Sequence, residues 1–127
     1  MNGTTPPTIL IIDDEKTVAE VLSDALTQAG FKTLIAHDGQ EGLTTAIEQH
    51  PNLILLDILM PKMDGMAVLQ KLREDAWGHD AQVIFLTNIS DFEKFNQAIE
   101  GGVHEYMVKS DWKLEEIVER VRKKLNS

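Results

Sequence analysis

The chain contains no cysteine, which excludes a disulfide framework, a thiolate nucleophile and thiolate metal ligation. It has no run of about 18 apolar residues, so no membrane-spanning helix is expected. Positive charge is scarce: 12 Lys and Arg stand against 21 Asp and Glu, a formal net charge of −9. Such a surface repels phosphate backbones and anionic headgroups, so neither nucleic acid nor a membrane is an expected partner. The opening residues MNGTTPP lack the apolar segment of a secretory leader. Residues 1–7 read as a flexible tail and 8–127 as one domain, with a cytoplasmic location expected. At 127 residues, 43% of them hydrophobic, the chain is long enough to bury a sizeable core.

What the chain does have is an alternating pattern. TILIID (8–13), FKTLIA (31–36), LILLD (53–57), QVIFLT (82–87) and EYMVK (105–109) are short apolar runs rich in β-branched residues, read as strands. Helical spacing separates them. Val18, Leu22, Ala25, Leu26 and Ala29 share one face, with Gly30 as a stop. Asp38 with Glu41 is a capping-box pattern ahead of Leu43, Ala46 and Ile47, and Pro51 ends that segment. Met66, Leu69 and Leu72 mark a third helix. Ser90 with Glu93 starts a fourth, carrying Phe92, Phe95, Ala98 and Ile99. Leu114, Ile117, Val118, Val121 and Leu125 line a fifth. Strands separated by helices of this length favour parallel pairing with both faces covered. The expected fold is therefore α/β: a doubly wound (βα)5 flavodoxin-like three-layer sandwich, its five-stranded parallel sheet in the order 2-1-3-4-5.

In such sheets function sits at the carboxyl ends of the strands. Those ends present Asp13-Asp14-Glu15, Asp57, Thr87-Asn88 and Lys109-Ser110. The proposed order makes strands 1 and 3 neighbours, so Asp13, Asp14 and Asp57 converge. Three carboxylates at one mouth repel one another, and a hard divalent cation such as Mg²⁺, which takes oxygen ligands, resolves this. Lys109 adds a cation and Thr87 a hydroxyl. That set suits phosphoryl transfer, which depends on positioning and on neutralising the phosphoryl oxygens. Asp57 would be the nucleophile, forming an aspartyl-phosphate. Each residue alone has a plainer reading: Asp14 as a cap of the first helix, Thr87 as an ordinary strand end, Lys109 as a solvated cation. The joint pattern favours the site.

The segments IIDDE (11–15), LILLDILMPKMDG (53–65), VIFLT (83–87) and YMVK (106–109), in this order, resemble the receiver domain of two-component response regulators; the likeness runs over residues 8–125. It implies that Asp57 accepts a phosphoryl group from a phosphohistidine on a sensor histidine kinase or a histidine phosphotransfer protein. It also implies that Asp14, Asp57 and the backbone carbonyl of Leu59 ligate Mg²⁺ directly, with Asp13 acting through water. Thr87 and Lys109 would bind phosphoryl oxygens, and Tyr106 would be a switch aromatic that turns inward as Thr87 moves. A half-buried strand aromatic without a switching role is the plainer reading of Tyr106. The surface of the fourth helix, fifth strand and fifth helix would engage a downstream protein. The chain would be a stand-alone phosphoacceptor regulator rather than a turnover enzyme.

Three positions depart from the family pattern. Ser110 stands where a proline usually follows the lysine, which favours a trans bond there, and Ser110 or Asp111 is free to cap the last helix. Asn88 replaces a small residue after Thr87. Leu59 and Ile89 are apolar where some relatives are polar, and slow self-dephosphorylation is expected from that pair. A flavin- or nucleotide-binding flavodoxin-like module is the main alternative, but DDEK after the first strand would repel a phosphate without a metal. A Mg²⁺-dependent phosphohydrolase would want a second acid where Leu59 stands, and a degenerate receiver serving as a constitutive interaction module would not need the intact acids. Elsewhere, His37, His50, His79 and His104 read as surface residues without metal spacing. RVRKK (120–124) reads as a helix end favoured by its dipole. Trp77 reads as packing on the helix before it. Phe92, Phe95 and Trp112 are divided between core packing and a partner surface.

Overall fold

The computed structural model describes residues 5–87, 106–108 and 113–126. Its strands are β1 (Thr8–Ile12), β2 (Lys32–Ala36), β3 (Leu53–Asp57), β4 (Val83–Thr87) and β5 (Tyr106–Val108). They form one parallel sheet in the order β2-β1-β3-β4-β5. The helices among the described residues are α1 (Lys16–Gln28), α2 (Gly39–Gln49), α3 (Gly65–Glu74) and a C-terminal helix (Leu114–Leu125), with a 3₁₀ turn at Gly78–Asp80. The expected strand order is observed. The helix expected from Ser90, with Phe92 and Phe95, lies outside the described residues, as do Asn88, Ile89, His104, Lys109, Ser110, Asp111 and Trp112. None of the described helices is long and apolar enough to cross a membrane.

The three layers follow from the two-residue period of a strand. Leu10, Ile12, Ile54, Leu56 and Phe85 face one way and pack with Leu43, Val68, Leu69 and Leu72 of α2 and α3. Ile9, Ile11, Leu53, Leu55, Ile84 and Leu86 face the other way and pack with Ala19, Leu22 and Leu26 of α1 and Ile117 and Val121 of the C-terminal helix. Ile9–Ile12 of β1 and Leu53–Leu56 of β3 are therefore apolar without a break because both faces are covered, as in central parallel strands.

The helix ends behave largely as their residues dictate. α1 stops where Gly30 takes φ +100, allowing the Phe31 N–H to reach back to the Leu26 carbonyl. At α2, Asp38 accepts the Glu41 N–H at 2.7 Å. Glu41 returns a bond one residue further out than the usual capping box, accepting the His37 N–H at 2.7 Å. α2 ends on His50 in the left-handed region, φ 49 and ψ 59, directly before Pro51. The basic last turn of the C-terminal helix, Arg122, Lys123 and Lys124, sits where the dipole favours cations.

At the far end of α3 the chain is pinned by polar contacts. Arg73 donates to the carbonyls of Gly78 and Ala81 at 2.7 and 2.9 Å. Burial draws the Arg73 pKa below its ordinary value while Asp80 opposes the shift. Asp75 accepts the N–H groups of Trp77 and Gly78. Trp77 packs against the α2–α3 side of the core and stacks on His50, ring centroids 4.6 Å apart and planes 10° apart.

Candidate functional site

The sheet brings its acidic residues together through register. β1 and β3 pair with Ile12 opposite Leu56, so Asp13 and Asp57 leave adjacent strands at the same level. Asp13 is anchored by its own N–H, which donates to the Ala36 carbonyl of β2. Its Oδ1 accepts the Glu15 N–H at 2.9 Å, folding the chain over into α1. Glu15 is the N-cap residue of α1 and makes no side-chain cap bond, so Asp14 is not the cap of this helix. Asp14 is exposed, whereas Asp13 is fully buried and Asp57 is 2% exposed. One carboxylate oxygen from each of Asp13, Asp14 and Asp57 lies within 4.8 Å of the other two. The expected convergence of these three acids is thus observed.

The group fits a divalent cation by its donor chemistry. All three donors are hard carboxylate oxygens, which suits Mg²⁺, Ca²⁺ or Mn²⁺ and not a thiophilic metal. Two of the three are buried and one is open to solvent, so a bound ion would keep a wet side. Like-signed carboxylates at this separation disfavour one another in the absence of a cation.

The stretch after Asp57 shapes the approach. Ile58 is buried and donates to the Leu86 carbonyl of β4, whereas Leu59 is 44% exposed. PKMDG holds a tight turn: the Met63 N–H reaches the Pro61 carbonyl across Lys62, which sits at φ 69, a γ-turn conformation that costs a non-glycine residue energy. Asp64 then caps α3 by accepting the Ala67 N–H at 3.0 Å. Gly65 follows because nothing larger fits: a Cβ there would collide with the Asp57 carbonyl and the Ile58 backbone. Its N–H donates to the Ile58 carbonyl at 2.8 Å, tying the start of α3 to the strand that carries Asp57.

The other expected site residues divide by where they fall. Thr87 is the last residue of β4, paired with Val108 at the same end of the sheet, one step beyond the Asp57–Leu86 pair. Lys109, which follows Val108, lies outside the described residues. Tyr106 pairs with Phe85 and is exposed. His37, His50 and His79 are exposed, as expected, but the stack of His50 on Trp77 carried no local sequence signal.

Comparison with known proteins agrees with this architecture. Residues 9–122 match the family model of the response regulator receiver domain. A probable transcriptional regulator, ycf27, from Porphyridium aerugineum is 40% identical over 101 residues, covering 80% of this chain and 41% of that protein. The DNA-binding dual master transcriptional regulator RpaA of Synechocystis sp. is 37% identical over 116 residues, covering 91% of this chain and 48% of that protein. The chain therefore spans about half the length of these curated relatives. The crystal structure of a CheY-like receiver domain protein from Methanospirillum hungatei superposes with a TM-score of 0.87 at 25% identity, covering 96% of this chain and 95% of that one. The family match over nearly the whole chain, on a sheet of this order, shows that it belongs to the response regulator receiver domains and has a role in two-component signalling.

Proposed function

We propose that the chain is a phosphorylation-dependent switch in which Asp57 takes a phosphoryl group from a phosphohistidine on a sensor histidine kinase or a histidine phosphotransfer protein. The observation that supports this most is the convergence of Asp13, Asp14 and Asp57 within 4.8 Å at the carboxyl end of a buried strand. One Asp57 oxygen bonds to phosphorus as the P–N bond of the donor breaks and the imidazole leaves with the electron pair. Mg²⁺, when bound, offsets the charge of the carboxylates and of the phosphoryl oxygens. Asp14, Asp57 and the Leu59 carbonyl would hold it directly and Asp13 through water. Asp57 stays in line because Gly65 and the Ile58 pairing fix its backbone on both sides.

Thr87 and Lys109 then receive the new oxygens, a hydroxyl and an ammonium meeting a group that carries about −1.5 to −2 charges. Tyr106, exposed on β5, turns inward as Thr87 moves, altering the surface made by the expected fourth helix, β5 and the C-terminal helix. That surface passes the signal to a downstream protein. Leu59 offers water no hydrogen bond beside the acyl phosphate, so self-dephosphorylation is slow. Leu59→Asn should shorten the phosphoryl half-life severalfold, read by loss of the adduct after donor removal; an unchanged half-life contradicts that role.

The reading is tested by intact mass after acetyl phosphate and Mg²⁺. A single phosphoryl adduct is expected on the native chain, absent in Asp57→Asn and absent with a chelator. A native chain that stays unmodified with Mg²⁺ or Mn²⁺ overturns it. Turnover of small phosphoesters would instead favour a phosphohydrolase, and a bound chromophore a flavin module.

A further inference from the structure

Two glycines, Gly39 and Gly42, stand in the first turn of α2, and both are buried. Glycine weakens a helix relative to alanine, so its presence there needs a reason. Three residues apart, the two face the same way. A Cβ on Gly42 would press into the Ile12 side chain. A Cβ on Gly39 would collide with the Met63 carbonyl oxygen and crowd Cγ2 of Val68 at 2.9 Å. α2 thus lies close against two segments that carry the acidic site. One is the end of β1, a residue before Asp13; the other is the turn that follows Asp57.

The start of α2 is itself tied down. The Ala36 carbonyl, at the end of β2, accepts the Asp13 N–H at 3.0 Å. Glu41 accepts the His37 N–H and Asp38 accepts the Glu41 N–H. The Asp38 carbonyl accepts the Gly42 N–H at 2.9 Å. The elbow over residues 36–42 is therefore fixed to β1 at Asp13. Its other contact, Met63, closes the γ-turn across Lys62 by donating its N–H to the Pro61 carbonyl. Lys62 is held at φ 69, and a strained backbone of this kind persists where its surroundings hold it. Met60 and Met63 flank that turn and pack in the same core cluster as Val68.

We infer that Gly39 is a positioning residue for the divalent-cation site: the close approach it permits sets the turn over 59–63 at its distance from Asp13. The inference rests on the proposed function, in which the Leu59 carbonyl and the carboxylates share the ion. Ala36 holds one side of that site through the Asp13 N–H, and Gly39 holds the other through the Met63 carbonyl. One elbow spans both. A methyl group at position 39 meets backbone, not only the free end of a side chain. The start of α2 is tied by its cap and to β1, so the turn yields and carries the Leu59 carbonyl away from the carboxylates.

Binding of Mn²⁺ to the full chain, read by the EPR signal of the free ion and reversed by Mg²⁺, tests this. Gly39→Ala should weaken the affinity by about tenfold or more, as loss of a group that orients metal ligands does. Gly78→Ala is the control, because its Cβ collides with the Leu72 carbonyl at the opposite end of the sheet. It should lower the melting temperature and leave the affinity unchanged. Phosphoryl uptake by Gly39→Ala from acetyl phosphate should fall at limiting Mg²⁺ and recover at saturating Mg²⁺. Lys62→Gly carries the test if Gly39→Ala does not fold. A turn held from outside by α2 keeps its affinity when its own backbone is freed, so a loss of affinity in Lys62→Gly overturns the inference. So does a folded Gly39→Ala with native affinity. Equal losses in Gly39→Ala and Gly78→Ala also overturn it, because the effect would then be one of stability alone. A native chain that binds no Mn²⁺ overturns the proposed function itself, and the inference with it.

Discussion

The two ends of the sheet are built on opposite principles. At the end where β3 begins, side chains satisfy backbone groups and stack on one another: Arg73 serves the Gly78 and Ala81 carbonyls, Asp75 takes two N–H groups, and His50 lies flat on Trp77. At the end where β3 finishes, three acids share one small space, two of them buried. The first arrangement contributes to folding and needs nothing from outside. The second works against folding through like-charge repulsion and makes sense as a place for a cation and a transferred group. Both ends also hold a non-glycine residue in the left-handed region, His50 at one and Lys62 at the other, so strain alone does not distinguish them.

This contrast can be broken at its strongest points first. Gly65→Ala should destabilise the chain by about 3 kcal/mol, because its Cβ meets backbone atoms of Asp57 and Ile58 that cannot step aside. The urea midpoint should fall with an unchanged slope, and phosphoryl uptake should fall with it. Arg73→Met should cost about 2 kcal/mol by leaving two carbonyls without their donor, yet leave the rate of phosphorylation of the folded chain as it was. Asp13→Asn should do the reverse. In metal-free buffer it should raise stability by about 1–2 kcal/mol, since one of three crowded charges is gone while Oδ1 still accepts the Glu15 N–H. The melting rise that Mg²⁺ gives the native chain should shrink in this variant. The smallest effect concerns the strained residues. Lys62→Gly should stabilise by about 0.5–1 kcal/mol, because glycine adopts positive φ freely. His50→Gly should gain less, since it loses a ring stack worth about 0.5–1.5 kcal/mol. Equal gains at both positions would mean that the stack contributes nothing.

How much of this was legible in the sequence depended on range. The five strands were readable because central parallel strands are apolar at every position, and LILLD stands out between polar turns. Asp13 and Asp57 were readable because each directly follows such a run, with Asp14 next after Asp13, and strand order then brings the three together. The Asp38–Glu41 cap was readable because both partners lie within one turn, although Glu41 reaches His37 rather than Asp38. The His50–Trp77 stack and the reach of Arg73 to Gly78 and Ala81 were not readable, since they depend on how α2, α3 and the following loop pack. Lys62 shows a subtler limit. PKMDG announces a turn, but the positive φ falls on the lysine and not on the glycine that the composition points to. That glycine is reserved for the close approach of α3 to Asp57.

The most direct test is to locate the phosphoryl group itself. The chain would be phosphorylated with acetyl phosphate and Mg²⁺, the acyl phosphate trapped by borohydride reduction, and the digest mapped by mass. The account predicts a single modified position, Asp57, within the peptide that carries residues 53–65. Modification at Asp13 or Asp14 instead, or a map with no modified aspartate, would contradict it.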